Sequence, residues 1–96
     1  MALTTFEWDP INDRENLRKQ KVSFSEAQRA FADSKRVIAQ DLDHSTREKR
    51  YFCPELVERG VLTVRFTYRG GVIRIFGAGS WRKGKAIHDR ENQIHR

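Results

Sequence analysis

The chain opens on a short alternation. In Thr4–Trp8 the β-formers Phe6 and Trp8 share one side, which predicts a brief first strand. Asp9–Pro10 then signals a helix start. An Asp side chain caps exposed backbone N–H groups, and proline fits the first helical position, where its missing N–H costs nothing. The helix is predicted to run to Gln20, with a thin apolar stripe of Ile11 and Leu17, so it should cover the core along one edge. Ser23–Phe24–Ser25–Glu26 has capping-box spacing and predicts a second short helix ending near Asp33, with Ala27, Ala30 and Phe31 inward.

From there the pattern turns to sheet. Arg36–Ala39 reads as a brief strand, Asp41–Arg47 as a polar loop, and Glu48–Phe52 as the next strand. Pro54 interrupts it and is expected at a bulge or an edge, with Leu56–Val57 resuming the strand. Val61–Tyr68 follows the turn Glu58–Arg59–Gly60 and is the clearest strand of the chain. Arg69–Gly70–Gly71 is a tight hairpin turn, because paired glycines accept positive φ, and Val72–Phe76 returns beside it. Trp81–Asn92 is predicted to be a terminal helix, weakened by Gly84. The order is β-α-α-β-β-β-β-α: an α+β fold, with an antiparallel sheet, two N-terminal helices and a C-terminal helix, in one domain spanning residues 1–96.

Alternation also sorts side chains between the two sheet faces. Leu62, Val64, Phe66 and Tyr68 form the apolar set of the clearest strand; Thr63, Arg65, Thr67 and Arg69 form the opposite set. If Ile73 and Ile75 join the core, Arg74 projects to the same side as Arg65, and the preceding strand adds Arg50 or Lys49. Helices on one face leave the other available, so several cations are expected to converge on an open sheet face.

The distribution of charge agrees with this picture. The formal net charge is +6, but residues 1–48 carry 8 basic and 9 acidic side chains, whereas residues 49–96 carry 11 basic and 4 acidic ones. A basic half on an otherwise neutral domain is the footprint of a polyanion partner, usually nucleic acid. At 96 residues the chain is too short for a barrel enzyme or a two-lobed nucleotide enzyme. No apolar run approaches the ~20 residues of a membrane span, and no signal-peptide pattern opens the chain. The single cysteine, Cys53, forms no intramolecular disulfide, which suits a reducing cytoplasm. Cys53 itself is expected to be a buried small hydrophobe or an edge thiol.

Cleaving RNA at its backbone takes a base for the 2′-OH, a proton donor for the leaving 5′-oxygen, and cations for the pentavalent phosphate. Arginine suits the last task, because its planar fork grips two phosphate oxygens and stays charged. Arg50, Arg65, Arg74 and Arg82 are the candidates; the competing role for each is pairing with Glu48, Glu55 or Glu58. His44, with Ser45 beside it and Glu48 four residues on, is the acid/base candidate, with a hydrogen bond to the Asp41–Asp43 turn as its alternative. Trp81 lies in a cationic run and is expected to stack on bases; Lys83, Lys85 and Thr67 are further RNA contacts. Trp8, by contrast, is expected in the core.

Two other constellations fail. Gly79 followed by Gly84–Lys85 has phosphate-loop spacing, but Ala86 stands where that motif needs a hydroxyl for Mg²⁺. His88 and His95 are two helical turns apart, about 10 Å, too far to share one ion. No metal and no cofactor are expected.

An ordered set of residues then resembles a known family. Phe6–Glu7–Trp8–Asp9, Asn16, Lys19, Val22–Ser23–Phe24, Glu26–Ala27, Phe31, Asp33, Asp43–His44–Ser45, Glu48, Arg50, Gly60 and Ile73–Arg74–Ile75 look like BrnT-type toxins of type II toxin–antitoxin modules, over residues 6–76. The resemblance implies a RelE-like fold and a metal-independent endoribonuclease that arrests growth. It also implies a co-encoded BrnA-like ribbon-helix-helix antitoxin, which neutralises the toxin, assembles with it as a heterotetramer and represses the shared operon; operator DNA is met only through the antitoxin. The family usually continues Ile-Arg-Ile with a hydrophobic residue and Ser-Ala-Arg. Here Phe76 is followed by Gly77–Ala78–Gly79, so the family's arginine is either lost or replaced by Arg82. A non-catalytic nucleic-acid-binding or co-repressor subunit is the alternative that these glycines favour.

Overall fold

The computed structural model describes residues 5–32, 36–42, 47–57 and 60–80. Along them run β1 (Phe6–Glu7), α1 (Pro10–Gln20), α2 (Phe24–Ala27) continuing as a 3₁₀ segment (Gln28–Ala32), β2 (Ala39–Gln40), β3 (Arg50–Val57), β4 (Gly60–Arg69) and β5 (Val72–Gly79). The strands form one sheet in the order β1-β5-β4-β3-β2. The fold is α+β as expected, but the sheet is mixed rather than antiparallel, because β1 pairs with β5 in parallel. Hairpins account for the antiparallel pairs of β3, β4 and β5. The chain reaches β1's partner only by way of every other element, so no local pattern announces the pairing. The predicted helix Trp81–Asn92 lies outside the described residues. No helix among the described residues is long and apolar enough to cross a membrane.

Local chemistry sets the element ends much as expected. Asp9 Oδ1 accepts from Ile11 N at 2.8 Å, and Ser23 Oγ accepts from Glu26 N at 3.1 Å. Gly70 and Gly71 take φ of +57° and +82°, so two residues join β4 to β5 in a turn whose twist matches the strands. The second helix gives way to 3₁₀ after one turn, and the strand expected at residues 36–39 narrows to Ala39–Gln40. Pro54 makes no bulge: β3 pairs with β4 without a shift from Arg50 to Val57. It lies at an edge, since β2 covers only Tyr51 and Phe52 and leaves the missing N–H nothing to disrupt. The bulge lies instead in β5.

The core fills the helical side of the sheet. Phe24, Ala27 and Ala30 pack on Cys53, Val64, Phe66, Ile73, Ile75 and Ala78, with Trp8, Phe6, Phe31 and Tyr51 at the margin. Trp8 is therefore a core-edge residue, its ring edge-on to Phe24 at 6.2 Å. Phe31 joins Phe6 at 5.4 Å to Phe66 at 4.8 Å, so a single aromatic on the 3₁₀ segment ties the edge strand β1 to the central strand β4. Cys53 is buried and reduced.

Helix α1 inverts its expected packing. Ile11 and Leu17 are 62% and 49% exposed, and no residue of the helix is buried. The inward stripe is polar: Asp13, Asn16 and Gln20, at i, i+3 and i+7. Asp13 Oδ1 accepts from Phe24 N at 2.8 Å. Asn16 Nδ2 donates to the carbonyls of Val22 and Ala78, both at 2.8 Å, while its Oδ1 accepts from Ala78 N at 3.1 Å. β1 stops pairing with β5 at Arg74, and further along the same strand the carboxamide of Asn16 takes both backbone groups of Ala78. A side chain thus serves Ala78 as a neighbouring strand would.

Candidate nucleic-acid interface

The side of the sheet away from the helices is read directly from the register. Arg50 lies opposite Thr67 and Thr67 opposite Arg74; Phe52 lies opposite Arg65 and Arg65 opposite Gly77. Residues paired across antiparallel strands share a face. Arg50, Arg65 and Arg74 therefore gather on one face, as alternation predicts, with Thr67 at the centre.

That face is less open than expected. Phe52 and Pro54 are buried, as are Thr63 and Thr67 at 0% and 1% exposure. One arginine of this face lies along the sheet rather than standing off it. Arg50, on β3, reaches across β4 to place its guanidinium carbon 4.4 Å above the ring of Phe76 on β5. Thr67, the register partner of Arg50, donates its hydroxyl to Lys49 O at 2.6 Å. Thr67 thus acts as the spacer under Arg50, with its hydroxyl already committed.

Phe76 reaches this face by alternation, one residue after the buried Ile75 and two after Arg74. Ile75 pairs with Phe66 and Gly77 with Arg65, so an extra residue lies between two regular pairs. The bulge keeps Gly77 on the arginine side and so returns Ala78 inward opposite Val64.

Carboxylates restrain part of this charge. Glu48 is gripped by Arg69 through two bonds, Nε to Oε2 at 3.2 Å and Nη2 to Oε1 at 3.0 Å. Those bonds above all hold the Glu48 carboxyl below the usual carboxylate range; Arg50 and Arg74 add longer-range attraction. The same bonds raise Arg69. Arg74 Nη1 lies 3.5 Å from Glu7 Oε1, its register partner on β1. Of the predicted pairings with Glu48, Glu55 and Glu58, the one resolved for Glu48 is with Arg69, which belonged to the outward set but was not among the candidates. Among the described residues of this face, four arginines (50, 65, 69 and 74) stand against Glu7 and Glu48, so it stays net positive.

His44, Trp81, Arg82, Lys83 and Lys85 lie outside the described residues. Glu7, Arg69 and Phe76 are additions to the candidates, although alternation already puts Arg69 and Phe76 on this face. Arg69 follows from the same period-two argument that selected Arg65, and Glu48 falls beside it when the Arg50–Thr67 register is extended by two residues. At the far end of the face, a Cβ built on Gly79 would meet Gln20 Oε1 at 2.6 Å, the tip of an exposed side chain that would have to turn aside.

Residues 8–84 match the family model described as ribonuclease toxin, BrnT, of type II toxin–antitoxin system. No curated protein matches the chain. The match runs from the residue that follows β1 through the bulged β5 of the arginine face, and the chain belongs to the BrnT family of type II toxin–antitoxin ribonuclease toxins.

Proposed function

We propose that the arginine face cleaves single RNA phosphodiester bonds without a metal ion, and that a cognate antitoxin restrains it. The observation that carries this reading is the shared face of Arg50, Arg65 and Arg74 around Thr67. A phosphate on Thr67's row would lie between arginines carried by both flanking strands, an arrangement suited to charge that spreads over the equatorial oxygens. The 2′-oxygen attacks phosphorus while its proton passes to a base; the 5′-oxygen departs and takes a proton; a 2′,3′-cyclic phosphate remains. His44 is our candidate for one proton-transfer role, and Arg82 for a further phosphate contact beside Trp81, Lys83 and Lys85. Glu7 and Glu48 hold Arg74 and Arg69 extended before substrate arrives, and a phosphate then competes for the same guanidinium groups.

The wider reading follows the family. The whole chain acts as one RelE-like domain in the cytoplasm, arrests growth, and forms a heterotetramer with a BrnA-like ribbon-helix-helix antitoxin that represses their operon. The test is cleavage of bulk RNA in EDTA. Wild type should cleave, and Arg65→Ala/Arg74→Ala should lose most of that activity while still folding. Undiminished cleavage by the double variant would overturn the site; no cleavage by wild type would overturn the activity.

One observation favours a second reading. Gln20 occupies the space beside Gly79, where family members resembling this chain usually carry an arginine. A chain lacking that cation and its replacement would bind RNA or assist the antitoxin at the operator without cutting. RNA binding without cleavage, together with weaker operator binding by the antitoxin when the chain is withheld, would establish it.

A further inference from the structure

We propose that Phe76, with the Arg50 guanidinium over its ring, forms a subsite for one unpaired nucleobase, which makes single-stranded RNA the substrate class of this face. The proposal rests on the RNA reading above and names the form of RNA that the site takes.

The placement of the ring is the first reason. Alternation with Ile73 and Ile75 puts Phe76 on the face of Arg50, Arg65 and Arg74, where it is half-buried while Phe52 and Pro54 are buried. A side chain serving only the core would belong with Ile73, Ile75 and Ala78, on the other side. The second reason is the ring's company. Arg50 lies 4.4 Å from its centroid, while Arg65 pairs with Gly77 directly after it and Arg74 stands two residues before it on the same strand. An aromatic ring with phosphate-binding groups around it accommodates a nucleotide in two parts: the base stacks on the ring or on the guanidinium plane, and the adjoining phosphates meet the neighbouring arginines. The third reason concerns discrimination. In an A-form duplex the base faces are already stacked on one another, whereas a single strand offers them to a protein. Arginines alone would bind both forms through their phosphates; Phe76 is the group that separates them.

Binding is measured with 2′-O-methyl oligonucleotides, which cannot be cleaved through the 2′-oxygen. Three probes of equal length are used: a single-stranded adenosine oligomer, the corresponding duplex, and an abasic ribose-phosphate chain. Wild type should prefer the single strand. Phe76→Leu should weaken the single strand about tenfold or more. It should leave the duplex, the abasic chain and the salt dependence unchanged, because stacking releases no counterions. Phe76→Tyr, which keeps the ring, should bind as wild type does. Equal affinity of wild type and Phe76→Leu for the single strand would overturn the subsite, as would an equal loss on the single strand and the abasic chain. Failure of wild type to bind any probe would overturn the RNA reading itself.

Discussion

Replacing Asn16 should damage the fold more than replacing any apolar residue of α1. The carboxamide makes three hydrogen bonds, two donated to the carbonyls of Val22 and Ala78 and one accepted from Ala78 N. At about 1 kcal/mol net for each bond, Asn16→Ala should cost about 3 kcal/mol, most of it from polar groups left without partners. For a domain of this size that lowers the midpoint of thermal unfolding by about 10 to 20 °C. Leu17→Ala, at a side chain half exposed, should stay within about 0.5 kcal/mol. Asn16→Asp separates hydrogen bonding from shape. The carboxylate still accepts from Ala78 N but turns its other oxygen toward two carbonyls, so it should be at least as damaging as alanine at neutral pH and recover partly in acid. Circular dichroism melts of the three variants measure this directly. A larger loss for Leu17→Ala than for Asn16→Ala would refute polar docking of α1.

Other outcomes follow from single features. Gly71→Ala forces a Cβ into φ of +82° and should cost about 1 kcal/mol, read from denaturant midpoints at unchanged slope. The Glu48 carboxyl is held below its ordinary range in the fold, so its contribution to stability is complete above the unfolded pKa of about 4.3 and is lost as pH falls from there through the lower folded value. Stability measured from pH 7 to 3 should therefore fall less steeply in Glu48→Gln than in wild type; identical slopes would contradict the pairing with Arg69. Glu7→Gln removes the carboxylate beside Arg74 and should tighten RNA binding at low salt while leaving the melting temperature nearly unchanged, because exposed ion pairs contribute little stability.

Much of this architecture is local in origin and legible for that reason. The caps at Asp9 and Ser23, the paired-glycine turn and the alternation along β4 each involve residues close in sequence, and all take their expected forms. The gathering of Arg50, Arg65 and Arg74 needs only the period of two and the choice of Ile73 and Ile75 as core. What escapes this reasoning is set by contacts between distant segments. The parallel partner of a two-residue strand leaves no trace in its own pattern. Helix α1 defeats the apolar-stripe rule because its inward face is held by hydrogen bonds to backbone groups of β5 and of the segment that follows the helix. The bulge beside Phe76 is a matter of the register between β4 and β5, and no spacing within β5 marks the extra residue. The arginine face is less open than alternation alone suggests, and the reach of Arg50 across β4 to Phe76 is a contact between distant segments of the same kind.

These pieces make one physical account. Hairpin register brings arginines from three strands onto a common face, carboxylates pair with two of them, and alternation along β5 sets Phe76 among them. Its central claim is that Arg50, Arg65 and Arg74 contact RNA phosphates. The measurement that tests it most directly is the salt dependence of binding to a non-cleavable single strand. Removing one arginine–phosphate interaction should lower the slope of log K against log salt by about 0.7, so Arg50→Gln, Arg65→Gln and Arg74→Gln should each bind more weakly with that shallower slope. Wild-type slopes in all three variants would contradict the claim.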